Sequence, residues 1–448
     1  MPDASTKHHS TSHRFSVGFG AILPLSRETA RLAVKSHLVF NPIFLYAVFV
    51  FPLALAPLFI APADYRLYWG QPYFLSDSLV LTQILSVLAL AFGLLVGGLA
   101  KRGIASTVLG EIDRRKFEIF LSVTWGLFIS AYIFWIASAI GKGLSLGVLA
   151  EIIRGENGAI FSAKRIYFES VSGITSWVQL GIPLGSLLAM KKAIYGKWDT
   201  PKLVLLFSLT AARSVLLSER LALIEVLAAF LLSASATGSI KMPRLSVIKA
   251  LSFVAAGEFL LVFFFGLTEY FRSWLTHYSA TGTDYIKFVT YRILGYYATS
   301  LNNGALVYTA GTNREKFLAF LHFPFLTELL GYREDPNSPI DIFFSLSNPE
   351  FNNVSGFLNP ISLFGLAGGL LLVFLVGFAS MRSYVNLSHG HLGSLLSYPL
   401  LLISLLEMPR LYYLADSRLL PALLACVLLP NVYQKVTSFP TGEFVGAK

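Results

Sequence analysis

Long apolar runs, separated by short polar and basic segments, dominate the chain. The runs are continuous rather than alternating, which favours helices over a barrel of strands. Most approach the roughly 20 residues that a helix needs to cross a bilayer. We therefore expect about ten membrane helices. They are predicted at Ile43–Ile60, Leu79–Leu99, Ile119–Ile140, Ile174–Met190, Leu203–Leu217, Leu221–Thr237, Ala250–Leu267, Pro360–Ala379, Ser394–Leu406 and Leu419–Tyr433. Pro52 and Pro57 should kink the first of these helices, which membrane helices tolerate.

The composition agrees with this pattern. The chain has 448 residues, of which 55% are hydrophobic and 13% are charged, and its mean hydropathy is +0.64. A soluble domain carries about 25% charged residues. The sequence therefore predicts an all-α polytopic membrane protein.

The net charge of +10 does not indicate a nucleic-acid partner, because the basic residues lie in short loops where the positive-inside rule explains them. The rule predicts both termini in the cytoplasm. It gives a cytoplasmic segment at 1–42, seven spans within 43–268, a large outer loop at 269–359, three spans within 360–434 and a cytoplasmic tail at 435–448. Arg27, Arg31 and Lys35 favour either a basic interfacial helix or a plain tail.

The outer loop at 269–359 carries two clusters of ring and amide side chains, Tyr291–Gly304 and Asn348–Gly356. The loop is too rich in aromatic residues to be disordered, so we expect an ordered segment with short helices. Tyrosine faces and asparagine amides suit sugar hydroxyls. Membrane-belt aromatics and turn asparagines are the alternatives. The candidate substrate-binding residues here are Tyr296, Tyr297, Asn302 and Asn303.

Arginines collect on the predicted outer side, where the topology rule expects few. Arg213 and Arg220 flank a tight helical hairpin, and the other candidates are Arg272, Arg292, Arg410 and Arg418. A guanidinium matches phosphate oxygens in a bidentate manner, so these residues suit an anionic ligand. Snorkelling of Arg213 to the surface and ion pairs with Glu219, Glu269, Glu407 and Asp416 remain the alternative interpretations.

Acid–base candidates on the outer side or within spans are few. A carboxylate or histidine there suits removal of a proton from an attacking hydroxyl, with Glu219 and His277 as the named candidates beside Glu225, Glu258, Glu269, Asp284, Glu350 and Glu407. The chain has a single cysteine, Cys426, and no zinc-protease, Walker or dinucleotide motif. No metal or cofactor is expected.

Several of these segments resemble the bacterial O-antigen polymerase, or oligosaccharide repeat-unit polymerase, family. The resemblance rests on Tyr291–Gly304, on Asn348–Gly356, on the glycine-rich stretch Leu363–Gly369, and on the arginine-bearing hairpin from Arg213 to Arg220. By topology it covers most of the chain.

The resemblance implies a metal-independent inner-membrane glycosyltransferase of the GT-C type. Such an enzyme works on the periplasmic side and transfers a glycan from undecaprenyl pyrophosphate to another lipid-linked repeat unit, in O-antigen, lipopolysaccharide or exopolysaccharide synthesis. Arg213, Arg220 and Arg292 match the arginines that handle the pyrophosphate. The implied partners are the lipid-linked oligosaccharide, bilayer lipids, a chain-length regulator and a flippase, with no nucleic acid.

Three other functions remain open at this stage, and one of them is a structural or assembly subunit of a polysaccharide complex. An O-antigen ligase would share the fold and the leaving group but would pass the glycan to lipid A core. A transporter or flippase would show charges at the bilayer midplane and internal repeats. Few charges fall within the spans, and the chain shows no internal repeat, so the enzyme is favoured.

Overall fold

The structure is a computed structural model, and it describes fourteen stretches of the chain. These are residues 29–31, 37–99, 111–154, 156, 159–169, 171, 173–216, 220–243, 245–270, 273–274, 278–279, 284–309, 345–389 and 391–435.

The described residues are mostly helical. The predicted apolar runs lie largely in helices, and five helices are long and apolar enough to cross a membrane. Those five are Pro42–Phe59, Asp77–Leu99 (α4), Arg114–Gly141 (α5), Val247–Leu267 within α11 (Val247–Glu269), and Leu358–Ser388 (α13). The remaining helices are α3 (Pro62–Trp69), α6 (Leu146–Arg154), α7 (Ala159–Ile166), α8 (Gly181–Tyr195), α9 (Thr200–Leu216), α10 (Arg220–Ala236), α12 (Tyr285–Thr309), α14 (Gly393–Glu407) and α15 (Leu420–Tyr433).

The first span is broken into short pieces. It runs through α1 (Pro42–Leu45), a π turn, α2 (Phe51–Leu55) and a 3₁₀ turn that ends at Phe59. Pro52 and Pro57 fall at the starts of the last two pieces, because proline has no amide hydrogen to continue the helix before it. The predicted kinking of this span is confirmed.

Helices α4 and α13 pack closely, and glycines make that approach possible. A Cβ on Gly97 would lie 2.7 Å from the carbonyl oxygen of Phe378, and one on Gly377 would meet the backbone of Leu90. The outer faces of the same helices expose large apolar side chains such as Phe92 and Leu371. Small residues inside and apolar residues outside are the arrangement expected of helices packed in lipid.

A small antiparallel sheet joins three distant parts of the chain. Its strands are β1 (Thr29–Arg31), β2 (Glu111–Asp113) and β3 (Gln434–Lys435), with β2 in the centre. Of the two interpretations left open for Arg27, Arg31 and Lys35, the basic interfacial helix does not form at Arg31, where backbone pairing with β2 forms a strand. Arg27 and Lys35 lie outside the described residues.

Hydrogen bonds show which helix ends lie together with this sheet, at what we call the sheet end. Tyr384 near the end of α13 donates to the carbonyl of His37, at 3.2 Å. Tyr398 in α14 donates to the carbonyl of Phe40. Lys191 in α8 pairs at 3.4 Å with Glu118, which lies in the first turns of α5, just after β2.

The opposite end, which we call the arginine end, is joined by a second set of bonds. The amide of Gly356 donates to the carbonyl of Met408 at 3.0 Å, and the amide of Ser355 to that of Ser300 at 2.9 Å. Trp69 in α3 donates its ring N–H to the carbonyl of Tyr291, at 3.0 Å. These contacts gather the end of α14, the start of α13, and α3 and α12.

The segment 269–359 differs from the expected loop with short helices. It contains α12, a single helix of 25 residues, and the whole Tyr291–Gly304 cluster lies in it. Its polar side chains Thr299, Ser300, Asn302 and Asn303 are buried within the protein, which the local sequence does not show.

Candidate functional site

The hairpin between α9 and α10 carries the first predicted arginines. Arg213 lies in the last turn of α9, with its side chain only 7% exposed and its guanidinium carbon 5.6 Å from the centre of the Trp135 ring. A cation over an indole face is stabilised electrostatically. Arg220 is the first residue of α10. Glu219 lies outside the described residues.

The turn between α14 and α15 carries two more of the predicted arginines, Arg410 and Arg418. Arg410 donates through Nε to Glu407, at 2.7 Å. Although burial opposes its charge, Glu407 and then Tyr297 hold the pKa of Arg410 above its ordinary value. Arg418 donates through Nε to Asp416, at 2.9 Å, and its side chain is 46% exposed. The turn is thus held by local ion pairs.

A buried pair joins this turn to the hairpin. The Tyr413 hydroxyl donates to Oε1 of Glu225, which is 1% exposed. Burial and then the Glu225 carboxylate raise the pKa of Tyr413, so its hydroxyl keeps the proton that it donates. The second oxygen of Glu225 makes no hydrogen bond within the part of the chain that the structure describes.

Arg418 and Arg213 both lie close enough to the Glu225 carboxylate to interact with it electrostatically, as does Glu407. A buried carboxylate is tolerated in a protein when such partners compensate its charge. The structure therefore places Arg213 and Arg418, one from each predicted group of arginines, near the same buried carboxyl group. We call this set the arginine cluster, and its members are Arg213, Glu225, Glu407, Arg410, Tyr413 and Arg418.

Helix α12 borders the arginine cluster. Burial, followed by Glu407, raises the pKa of Tyr297 to about 12. Tyr296 packs edge-on against Phe265 and Phe351, with ring centres 5.6 Å and 5.2 Å away. Both predicted tyrosines are therefore partly buried packing residues, with only part of each ring left for a ligand.

Arg292 makes a separate buried group with two carboxylates. Its Nε donates to Glu269 at 3.1 Å, with the two side chains 4% and 0% exposed, and its Nη1 pairs with Glu350. The guanidinium also lies 4.7 Å from the ring centre of Phe351. Its charge is compensated inside the protein. Of the two interpretations left open by the sequence, the ion pair is the one that the structure contains.

The side chains of Asn302 and Asn303 hold two loops against α12 through hydrogen bonds. Asn302 donates to the carbonyl of Pro72 and accepts from the amide of Phe74, both at 2.8 Å. Asn303 donates to the carbonyls of Phe351 and Asn353, at 2.7 and 2.8 Å. Both are completely buried inside α12, so neither is a turn residue. Their amides hold the loop before α4 and the loop before α13.

Arg272 and His277, the other predicted site residues, lie outside the described residues. Among the residues that the structure does describe, no group of three histidine, cysteine or acidic side chains is placed to hold a metal ion. Glu225 was a candidate from the sequence, but its partner Tyr413 was not. The one local signal for Tyr413 was its position between Arg410 and Arg418, in a turn that is rich in charged residues.

Comparison of the chain with protein-family models, with curated proteins and with solved structures finds no match in any of the three. The class follows from the structure: a mostly helical, multi-pass membrane protein. Among the described residues, the buried charged side chains all belong to the arginine cluster or to the Arg292 group; they are Arg213, Glu225, Glu269 and Arg292.

Proposed function

We propose that the protein is an inner-membrane glycosyltransferase that polymerises undecaprenyl-pyrophosphate-linked repeat units. The observation that carries this proposal is the arginine cluster, in which Arg213, Arg410 and Arg418 converge at one end of the helices. Guanidinium groups bind phosphate oxygens in a bidentate manner and stabilise the negative charge that develops on a pyrophosphate leaving group. The motifs that resemble the polymerase family lie at the same end.

The proposal includes about ten membrane crossings in a GT-C-like arrangement. Support comes from the helix ends. In helix α14, the Tyr398 hydroxyl donates to the carbonyl of Phe40 at the sheet end. Met408, which directly follows this helix, accepts from the amide of Gly356 at the arginine end, so α14 runs from one end to the other. Short helices can cross when turns extend them, as the 3₁₀ turn Thr175–Leu180 extends α8. By the positive-inside rule, the basic loops favour a cytoplasmic sheet end, with both termini on the same side.

In the proposed reaction, a sugar hydroxyl of one lipid-linked unit attacks the anomeric carbon of the donor glycan. The new bond forms as the bond from that carbon to the pyrophosphate oxygen breaks, and undecaprenyl pyrophosphate leaves with the electron pair. Arg213 and Arg418 stabilise the charge that develops on the leaving group. The hydroxyl proton passes to a carboxylate, for which Glu407, 19% exposed, is the accessible member of the cluster.

Arg292 takes a different role in this proposal. Because Glu269 and Glu350 already compensate its charge, it acts as a positioning residue that fixes α12 and the loop before α13. It does not contact the pyrophosphate.

A transporter is the second candidate, and one observation favours it. Glu225 is a buried carboxylate in an apolar helix, a feature often found in proton-coupled transport.

A ligase of the same fold is distinguished from a polymerase by its acceptor. Loss of a ligase leaves long polymer on the lipid carrier, whereas loss of a polymerase leaves single units on lipid A core.

The test replaces Arg213 or Arg418 by alanine in the producing strain and separates the glycans on a gel. Removal of one such donor costs roughly 10²- to 10³-fold in rate, so the long-chain ladder should collapse to single units. Arg115→Ala is the matched control, since Arg115 is an exposed arginine at the start of α5, at the sheet end. Full-length ladders in both cluster variants, with normal protein levels, contradict the proposal.

A further inference from the structure

Helix α3 is fixed directly beyond the end of the first span. It begins at Pro62, and only Ile60 and Ala61 separate it from the end of the span at Phe59. Tyr65 is fully buried and its hydroxyl donates to the carbonyl of Pro57, at 3.3 Å. If the first span crosses the bilayer, α3 therefore lies at the level of the lipid headgroups.

The inner face of α3 is bound to α12. Trp69 is 3% exposed and donates its ring N–H to the carbonyl of Tyr291. Its own carbonyl accepts from the side-chain amide of Asn348, at 2.8 Å. These bonds leave α3 no freedom to turn, so the face that it presents outward is defined by the fold.

The exposed side of α3 carries Leu67 and Tyr68, with the exposed Arg66 beside them. Leu67 is 72% exposed, and on the neighbouring start of α12 Ile286 is 74% exposed. Tyr68 stacks on Tyr291 with ring centres 3.9 Å apart and an interplanar angle of 17°. Lys287 places its ammonium nitrogen 5.7 Å from the centre of the Tyr291 ring.

We propose that this surface rests in the interfacial layer of the bilayer and binds phospholipid. We call it the aromatic shelf, and it consists of Phe59, Leu67, Tyr68, Ile286, Lys287 and Tyr291. Tyrosines with an apolar body and a polar tip favour the headgroup level. Leucine and isoleucine beside them reach the acyl boundary, and a lysine there meets lipid phosphate.

Continuity with the span favours lipid over other occupants. Phe59, the last residue of the span, is 86% exposed, so the apolar surface passes from the span onto α3. A glycan would be bound by aromatic faces framed by hydrogen-bonding groups, whereas three highly exposed side chains here, Phe59, Leu67 and Ile286, are apolar. The aromatic shelf does not depend on the proposed enzymatic function.

The single cysteine of the chain makes a direct test feasible. Cys426 is buried, and Cys426→Ser provides a background in which Leu67→Cys or Ile286→Cys carries a bimane fluorophore. The labelled full-length protein is placed in phospholipid nanodiscs that contain spin-labelled lipid, with the spin label either at the headgroup or deep in the acyl chain. Lys197→Cys, in an exposed loop between α8 and α9, is the aqueous control, and Phe92→Cys, on the outer face of α4, is the deep control.

The shelf predicts that the headgroup label quenches positions 67 and 286 about threefold more than position 197, as expected for side chains inserted to headgroup depth. The acyl-chain label should quench position 92 best. Two results overturn the proposal. One is quenching at 67 and 286 by soluble iodide but not by lipid, which means a water-exposed or glycan-binding face. The other is protection from both quenchers, which means that a second copy of the chain covers it.

Discussion

Tyr413 donates a hydrogen bond to Glu225, although the two residues lie 188 positions apart in the chain. This bond ties α10 to the turn between α14 and α15. It also places the Glu225 carboxyl group within electrostatic reach of both Arg213 and Arg418. The proposed site therefore depends on a contact that is itself fully buried.

Removal of the Tyr413 hydroxyl should destabilise the protein. Tyr413→Phe leaves the Glu225 carboxylate buried without its donor, which costs about 1–3 kcal/mol. The measurement is thermal unfolding of the purified protein in detergent, with Tyr308→Phe, at a tyrosine that is 44% exposed, as the control. If both variants have the melting temperature of the wild-type protein, the Tyr413–Glu225 hydrogen bond does not contribute to stability.

Arg292 should behave as a structural residue. Arg292→Met removes the ion pair between Arg292 and Glu269, which is completely buried, at a cost of about 3–5 kcal/mol. Addition of Glu269→Gln should recover part of that loss. Arg66→Met, at an exposed arginine on α3, should change the melting temperature little. A stable Arg292→Met variant that lacks chain extension would instead point to a direct catalytic role.

Packing of α4 on α13 should be sensitive to the size of the side chain at the glycines. In Gly97→Leu the new side chain meets the backbone of Phe378, and overpacking of this kind costs about 1–3 kcal/mol. Gly126→Leu on α5, where an added Cβ would have open space within 4 Å, is the matched control. Equal folded yields and melting temperatures for the two variants contradict the close approach of these helices.

The protein should lose stability in acid through Asp199, outside the spans. Burial opposes ionisation there, but Lys191 and Lys202 outweigh it and hold the pKa of Asp199 below its ordinary value of 3.8. A carboxylate with a lowered pKa contributes stability that is complete above the ordinary value and is lost as the pH falls below it.

The measurement is the melting temperature of wild-type and Asp199→Asn protein between pH 7 and pH 3. The difference between them should be constant down to about pH 4 and should shrink below it, because protonation then removes the same charge in the wild type. A difference that stays unchanged to pH 3 means that Asp199 does not contribute in this way.

The apolar runs were sufficient to predict where the membrane-like helices lie, because a continuous apolar stretch has few other stable structures in lipid. Prolines 52 and 57 likewise predicted the broken first span. Helix α12 was missed as one long helix because its tyrosines and asparagines have the composition of a loop. Only the tertiary contacts of Asn302 and Asn303 with residues 71–74 and 351–353 show why they are helical.

The candidate site was predicted only in its residue types. The excess of outer arginines was visible in the sequence, but their partners were not, since Arg292 is 58 positions from Glu350. Local rules of spacing act over a few residues on one helix. Pairs that close long loops depend on the packing of several helices and cannot be derived from spacing.

Reconstitution of the purified protein tests whether it polymerises lipid-linked repeat units. Purified protein in liposomes receives a synthetic undecaprenyl-pyrophosphate-linked repeat unit, with a metal chelator and without any nucleotide. We predict lipid-linked products of increasing length, together with one released undecaprenyl pyrophosphate for each new glycosidic bond. The Arg213→Ala variant should form neither product. Movement of intact repeat units across the bilayer without any longer product would contradict the proposed function.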